Sequence, residues 1–265
     1  MASPDIHPTA VVEDGATIEA GARLGPYCVV GAGARVSEGA ELKSHVVVEG
    51  RVSIGPRTVV YPFTTLGGPP QHLKALEDDA ELVIGADAII REQASIHLAT
   101  KAGGGVTRIG DRAFVMAAAH IGHDCQIGND AVVASNASLG GHVVLEEHAV
   151  LGGATAIHQF VRIGAFAHIG GGSAVDRDVV PYASAFGNRA RVRGPNLIGL
   201  KRRGLSRDQI RAVQAAFEEL FGAGETRFVD RVLRVAENRS ESSEVKRILE
   251  FIERGGSRSV LGAQP

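Results

Sequence analysis

The sequence predicts a mainly β chain in which short parallel strands wind into a triangular coil closed by a helical tail. Three observations carry this prediction. An aliphatic residue recurs at every sixth position, a small residue tends to follow it four positions later, and the period ends near residue 190, where helical spacing takes over.

Stepping by six from Ile6 gives Val12, Ile18, Leu24, Val30, Val36, Leu42, Val48, Ile54, Val60 and Leu66. The period pauses across GGPPQHLKALEDDAEL and resumes at Ile84, Ile90 and Ile96. After a second pause across KAGGGVTR it runs from Ile109 to Val175, for 26 positions in all. A helix spaces apolar residues by three and four, and a half-buried strand alternates at two. A period of six requires a flat side of six residues with one aliphatic side chain turned inward. Three sides close a turn of 18 residues, and 26 hexads make about nine turns stacked at roughly 4.8 Å. The two pauses read as extruded loops near 67–83 and 98–108.

The corners impose a second constraint. Ala10, Ala16, Ala22, Cys28, Ala34 and Ala40, and later Ala113, Ala119, Cys125, Ala131 and Ala137, hold the small phase. Only short side chains fit beside a bend inside so narrow a prism. Both cysteines of the chain sit in this phase, which assigns them to packing; two thiols in 265 residues do not make a disulfide framework.

Residues 1–190 therefore form the coil and 191–265 a helical region. Ser206 followed by Gln209 reads as a capping box. Ile210, Val213, Phe217, Leu220 and Phe221 then share one helix face, and Arg227–Glu237 and Ser243–Arg254 show the same spacing.

Composition bounds the function. With a net charge of -2 and a pI near 6.6, nothing points to nucleic acid or to a membrane surface. No apolar run approaches the roughly 18 residues of a membrane span, and MASPDIHPTA lacks the pattern of a leader, so a soluble cytoplasmic protein is expected. Thirty-four glycines and no tryptophan suit a coil of tight corners around small aliphatic residues.

Seven of the ten histidines, His97, His120, His123, His142, His148, His158 and His168, lie between Ile96 and Gly170. His123 to His142 is 19 residues and His142 to His158 is 16, each close to one turn, so the three fall near one another on successive turns. Such a cluster reads as surface packing, as a metal site of converging imidazoles, or as a general base with polar neighbours. HIGHDC, residues 120–125, favours the base, because Asp124 adjoins His123 and a carboxylate fixes the tautomer of an imidazole. Neighbours on a straight strand point to opposite faces, so direct pairing requires a corner at this dipeptide.

The segments LKSHVVVEG, IHLATKAGGG, AHIGHDC, GGHV, GGATAIHQF, PYASAFGNRA and NLIGLKRRG together resemble the UDP-N-acetylglucosamine 3-O-acyltransferase family of hexapeptide-repeat acyltransferases. The resemblance runs through nearly the whole chain in order. It implies a left-handed parallel β-helix with a C-terminal α-helical domain. It also implies transfer of a 3-hydroxyacyl chain from acyl carrier protein to UDP-N-acetylglucosamine, the first step of lipid A synthesis, with no cofactor or metal. By the same resemblance His123 is the general base, Asp124 its partner and the Gly141 N–H the oxyanion donor. Gln71, Lys74, His120, His142, His158, Gln159, Asn196, Arg202 and Arg203 are implied as substrate contacts or their supports, Gly171 as the residue that limits acyl length, and a homotrimer with sites between subunits as the assembly. Two positions depart from the family pattern: His72 stands where an acidic residue is common, and Arg189 where histidine is common. Both move the local charge in the positive direction, and they leave a hydroxyl and an amine open as the acceptor at carbon 3.

Overall fold

The computed structural model describes residues 3–72, 80–239 and 242–262, and within them the chain is a left-handed parallel β-helix with helices after it. Each of the 26 aliphatic hexad positions lies in a strand of two to four residues. Every third strand joins the same sheet. The first face begins with Asp5–Ile6 and Arg23–Leu24, the second with Val11–Val12 and Val29–Val30, and the third with Thr17–Ile18 and Arg35–Val36.

Register shows how the two pauses are absorbed. Ile6 pairs with Leu24, one 18-residue turn away. Across the first pause Ile54 pairs with Ile84 and Leu66 with Ile96, 30 residues apart, and across the second Ile84 pairs with Ile109 and Ile96 with Ile121, 25 apart. The insertions thus lengthen two turns without moving any aliphatic residue from its stack, as they must if the core is to stay filled. Both leave from the corner between the second and third faces, on consecutive turns.

The interior is the predicted column of aliphatic and small side chains. Cys28 and Cys125 are fully buried in it, and burial pushes the Cys125 thiol up to about 12. The corners bend through left-handed backbone even where the residue is not glycine: Asp124, His142 and Phe160 have φ of 62°, 62° and 65°. That conformation costs roughly 1 kcal/mol per non-glycine residue, and the hydrogen-bonded turns above and below impose it.

The coil ends in Ala183–Phe186, which continues the first face in parallel, and Arg191–Pro195, which pairs with it antiparallel. Among the described residues four α-helices follow: α1 (Leu197–Arg202), α2 (Arg207–Phe221), α3 (Phe228–Arg239) and α4 (Ser243–Glu253). The Ser206–Gln209 capping box is present at the start of α2, and Ile210, Val213, Phe217 and Leu220 are buried. α1 was not anticipated from the sequence; at six residues it is too short to show a period.

The tail then returns to the coil. Phe251 of α4 lies under the Arg162 guanidinium, 4.2 Å from carbon to ring centroid, while Arg162 Nε donates to Asp178 at 2.7 Å. Beyond α4 the chain runs beside Asp178, whose N–H donates to Ser259 O at 3.0 Å and whose carbonyl accepts from Leu261 N at 2.7 Å. No helix among the described residues is long and apolar enough to cross a membrane.

Candidate active site

The second face and its corner with the third face carry a cleft of about 660 Å³. Gln71, His120, His123, Gly141, His158 and Gln159, all expected at the site, line it, and so do His72 and Arg189.

The corner that pairing of His123 with Asp124 requires is there. Asp124 takes the left-handed turn position, which swings its side chain back beside its neighbour, and His123 Nδ1 lies 2.6 Å from Asp124 Oδ2. Both side chains are buried, that of Asp124 completely. A buried carboxylate demands donors, and the second extruded loop supplies them. Thr100 N–H donates to Oδ1 at 2.9 Å and Thr100 Oγ1 to Oδ2 at 2.8 Å, while the Asp124 N–H donates to Thr107 Oγ1 at 2.8 Å. Thr100 also caps a 3-10 turn, Lys101–Gly103, which closes over the carboxylate so tightly that a Cβ on Gly103 would lie 2.2 Å from Asp124 Oδ1.

With Nδ1 against the carboxylate, the neutral ring of His123 keeps its lone pair on Nε2. The backbone of Gly141 runs beside that atom: a Cβ there would lie 2.6 Å from Nε2 and 2.5 Å from Cε1. Among the described residues the Gly141 N–H has no acceptor. At the same corner position Ala32, Ala86 and Ala165 donate to a carboxylate of a neighbouring turn, whereas the Gly141 N–H stays open and its missing side chain lets a bound group reach it.

The neighbouring histidines are arranged by the same turns. His142 stacks on Phe160 at 4.4 Å, meets the His123 ring edge-on at 5.1 Å and brings Nε2 to 3.6 Å from Asp124 Oδ2. Burial holds the His142 pKa below the usual histidine range; Asp124 opposes this, and His123 and His72 add to it. His120 is also held down, by burial first and His97 second, and its Nδ1 lies 2.9 Å from Ser95 Oγ. Register places Gly141 and Gln159 directly over His123, so His142 and His158 sit one position to either side rather than in one strict column. From the first loop, His72 brings its ring to 5.5 Å from that of His123. Lys74 lies outside the described residues.

His123, Asp124 and His142 each offer a ligand atom within 4.8 Å of the others. Oδ2 of Asp124, the oxygen facing the histidines, already accepts from Thr100 Oγ1 and faces His123 Nδ1, so a cation held by that oxygen would first have to displace one of them. The geometry suits a hydrogen-bonded pair better than a ligand set.

Four expected residues lie elsewhere in the chain. Gly171 turns the corner between the first and second faces, at the opposite edge of the second face. Asn196, Arg202 and Arg203 belong to the corner between the third and first faces. Asn196 caps α1, accepting from Gly199 N at 3.0 Å, and donates to Phe166 O at 3.0 Å; the charge of Arg203 is felt by Asp130 and His148. Thr100, Thr107 and Gly103 were not anticipated as part of the site. Their segment sits where the period stops, so no phase located them; a threonine opening a glycine-rich insertion was the available signal.

A coil of six-residue repeats bearing a histidine and a carboxylate beside an open cleft defines a hexapeptide-type transferase. Residues 107–141 match the family described as bacterial transferase hexapeptide (six repeats), and residues 178–261 match the one described as UDP N-acetylglucosamine O-acyltransferase, domain 2. Over 255 residues the chain is 42% identical to the acyl-(acyl-carrier-protein)--UDP-N-acetylglucosamine O-acyltransferase of Azorhizobium caulinodans, covering 96% of this chain and 94% of that protein. The protein of the same name from Rhizobium johnstonii is 39% identical over 259 residues, 97% of this chain and 94% of its own. The solved UDP-N-acetylglucosamine acyltransferase from Campylobacter jejuni is 37% identical with a TM-score of 0.91, over 98% of this chain and 100% of that one. The chain belongs to the UDP-N-acetylglucosamine O-acyltransferase family.

Proposed function

We propose that the protein transfers a 3-hydroxyacyl chain from acyl carrier protein to the 3-position of UDP-N-acetylglucosamine, the opening step of lipid A synthesis, by direct attack with His123 as general base. The observation that carries this reading is the His123–Asp124 pair at 2.6 Å with the bare Gly141 backbone beside the ring. The curated relatives named for that reaction support the choice of donor and acceptor.

In this mechanism His123 Nε2 removes the proton of the sugar hydroxyl as its oxygen attacks the thioester carbonyl. Asp124 stabilises the imidazolium that forms, as the carboxylate of a catalytic triad does. The Gly141 N–H donates to the oxyanion of the tetrahedral intermediate. Collapse breaks the carbon–sulfur bond, and the imidazolium returns the proton to the departing thiolate. No acyl-enzyme forms, in keeping with Cys125 having a buried thiol that stays protonated.

His120, His142, His158, Gln159, Gln71 and Lys74 take the roles of substrate contacts or their supports, and Gly171 leaves room for a long acyl chain. Asn196, Arg202 and Arg203 lie on a different corner from His123 within one chain. Their participation is best met by a homotrimer in which that corner of one copy faces the cleft of the next. There the exposed Arg202 and Arg203 suit either the phosphates of the nucleotide or the acidic surface of acyl carrier protein. The reaction places the protein in the cytoplasm, where acyl carrier protein is made and used.

Mass spectrometry of the product formed from a panel of acyl carrier protein thioesters and UDP-sugars tests this reading. A 3-O-acylated UDP-N-acetylglucosamine is the expected product. Transfer from coenzyme A but not from acyl carrier protein would overturn the donor, and acylation only of a 3-amino sugar would overturn the acceptor.

A further inference from the structure

The C-terminal segment brings one cation to the rim of the cleft. Arg258 Nη2 lies 2.8 Å from His158 Nδ1, and Arg258 Nε donates to Gln159 O at 3.2 Å. The segment is fastened to the coil immediately after this residue. Asp178 N–H donates to Ser259 O at 3.0 Å, Leu261 N–H to Asp178 O at 2.7 Å, and Val192 N–H to Gly262 O at 3.0 Å. The guanidinium is thus held by backbone pairing with the coil, one hundred residues from the histidine it meets.

The chemistry of that contact has one solution. A guanidinium has only donors, so the nitrogen facing it must accept. In the neutral ring of His158, Nδ1 then carries the lone pair and Nε2 the proton. Without Arg258 the preference would reverse, because Nδ1 lies 3.1 Å from Gln159 O and a protonated Nδ1 would donate to that carbonyl. His158 lines the cleft. Its tautomer therefore decides whether it offers a bound substrate a donor or an acceptor.

We propose that Arg258 is a positioning residue of the active cleft, which fixes His158 as an Nε2–H donor toward a substrate oxygen. The arrangement contrasts with His123, where a carboxylate on Nδ1 leaves Nε2 as the acceptor. Two histidines lining one cleft thus take opposite tautomers, one as base and one as donor, each set by the charged group on its Nδ1. The site is in this sense incomplete until the chain end has docked. The role of His158 as a donor to substrate rests on the acyl-transfer reading; its tautomer rests on geometry alone.

The test compares the full-length wild type with Arg258→Met, which keeps the length of the side chain but no donor, and Arg258→Lys, which is again donor-only. Nitrogen-15 spectra of the histidine rings near pH 8 read the tautomer. Wild type and Arg258→Lys are expected to show His158 protonated on Nε2, and Arg258→Met to shift it toward Nδ1–H. With thermal stability retained, kcat/KM for acyl transfer should fall about tenfold in Arg258→Met, the worth of one hydrogen bond, and recover most of the way in Arg258→Lys. A wild-type His158 protonated on Nδ1 would overturn the proposal, as would an Arg258→Met variant whose tautomer or kcat/KM is unchanged. Wild type that transfers no acyl group would count against the proposed reaction instead, and the spectra would still decide the tautomer.

Discussion

Thr100 donates to both carboxylate oxygens of Asp124, through its N–H to Oδ1 at 2.9 Å and through its hydroxyl to Oδ2 at 2.8 Å. The residue that orients the candidate base is thereby itself oriented by a loop expelled from the coil one turn earlier. Replacing Thr100 by Val keeps the shape and the N–H contact but removes the hydroxyl, leaving Oδ2 with His123 alone. The expected result is a kcat lowered about tenfold, with Thr100→Ser close to wild type. A steady-state comparison of the two variants checks it, and equal loss in both would mean that the methyl rather than the hydroxyl matters.

Gly141→Ala is expected to separate activity from stability. Its Cβ would lie 2.5 Å from His123 Cε1, so the ring must swing off its present line. His123 is buried but borders the cleft, so the ring can yield toward it without disturbing the aliphatic core, and the thermal midpoint should change far less than the rate. A base displaced by about 1 Å loses on the order of a hundredfold in rate. Measured kcat beside a melting curve tests this; near-normal turnover would show that the ring position is not critical.

Stability should fall as pH drops below neutrality. Burial holds His120, His142, His148 and His168 below the usual histidine range in the folded chain. Between the unfolded value of about 6.5 and these lower folded values, the unfolded chain binds more protons, so acidification favours unfolding. The contribution is complete above about pH 6.5 and is lost through the depressed folded values. Melting temperatures from pH 8 to pH 5 should therefore decline. A midpoint that rises on acidification would contradict the assignment.

Both thiols should be silent toward thiol reagents in the native protein. Cys28 and Cys125 are fully buried, and the Cys125 thiol is pushed up to about 12, far from the thiolate form that reacts. Titration with a chromogenic disulfide is expected to register both cysteines only after denaturation. Rapid native labelling of Cys125 would reopen a nucleophilic role for it.

Much of this protein could be read from the period alone. Leu24, Val30 and Val36, with Ala22, Cys28 and Ala34, follow the repeat into the core because a coil this narrow admits one size of side chain at each phase. The His123–Asp124 pair was readable for a related reason: a six-residue repeat fixes where corners fall, and a corner is what lets neighbours meet. Thr100 was hidden because it lies in an insertion, where the repeat supplies no register. Arg258 was hidden because only the return of the tail along Asp178 brings it to His158, and no local pattern encodes that return. Asn196 shows the reverse case: within one chain its amide is spent on capping α1 and holding Phe166 O, a role that spacing alone does not reveal.

The central claim, that His123 is the base of an acyl transfer supported by Asp124, is tested most directly by single-turnover transfer from 3-hydroxyacyl-loaded acyl carrier protein to UDP-N-acetylglucosamine. The comparison is between wild type and His123→Ala, each shown by melting curve to be folded. The variant is expected to lose about a thousandfold or more, at the upper part of the range for general base catalysis. Transfer within tenfold of wild type would contradict it.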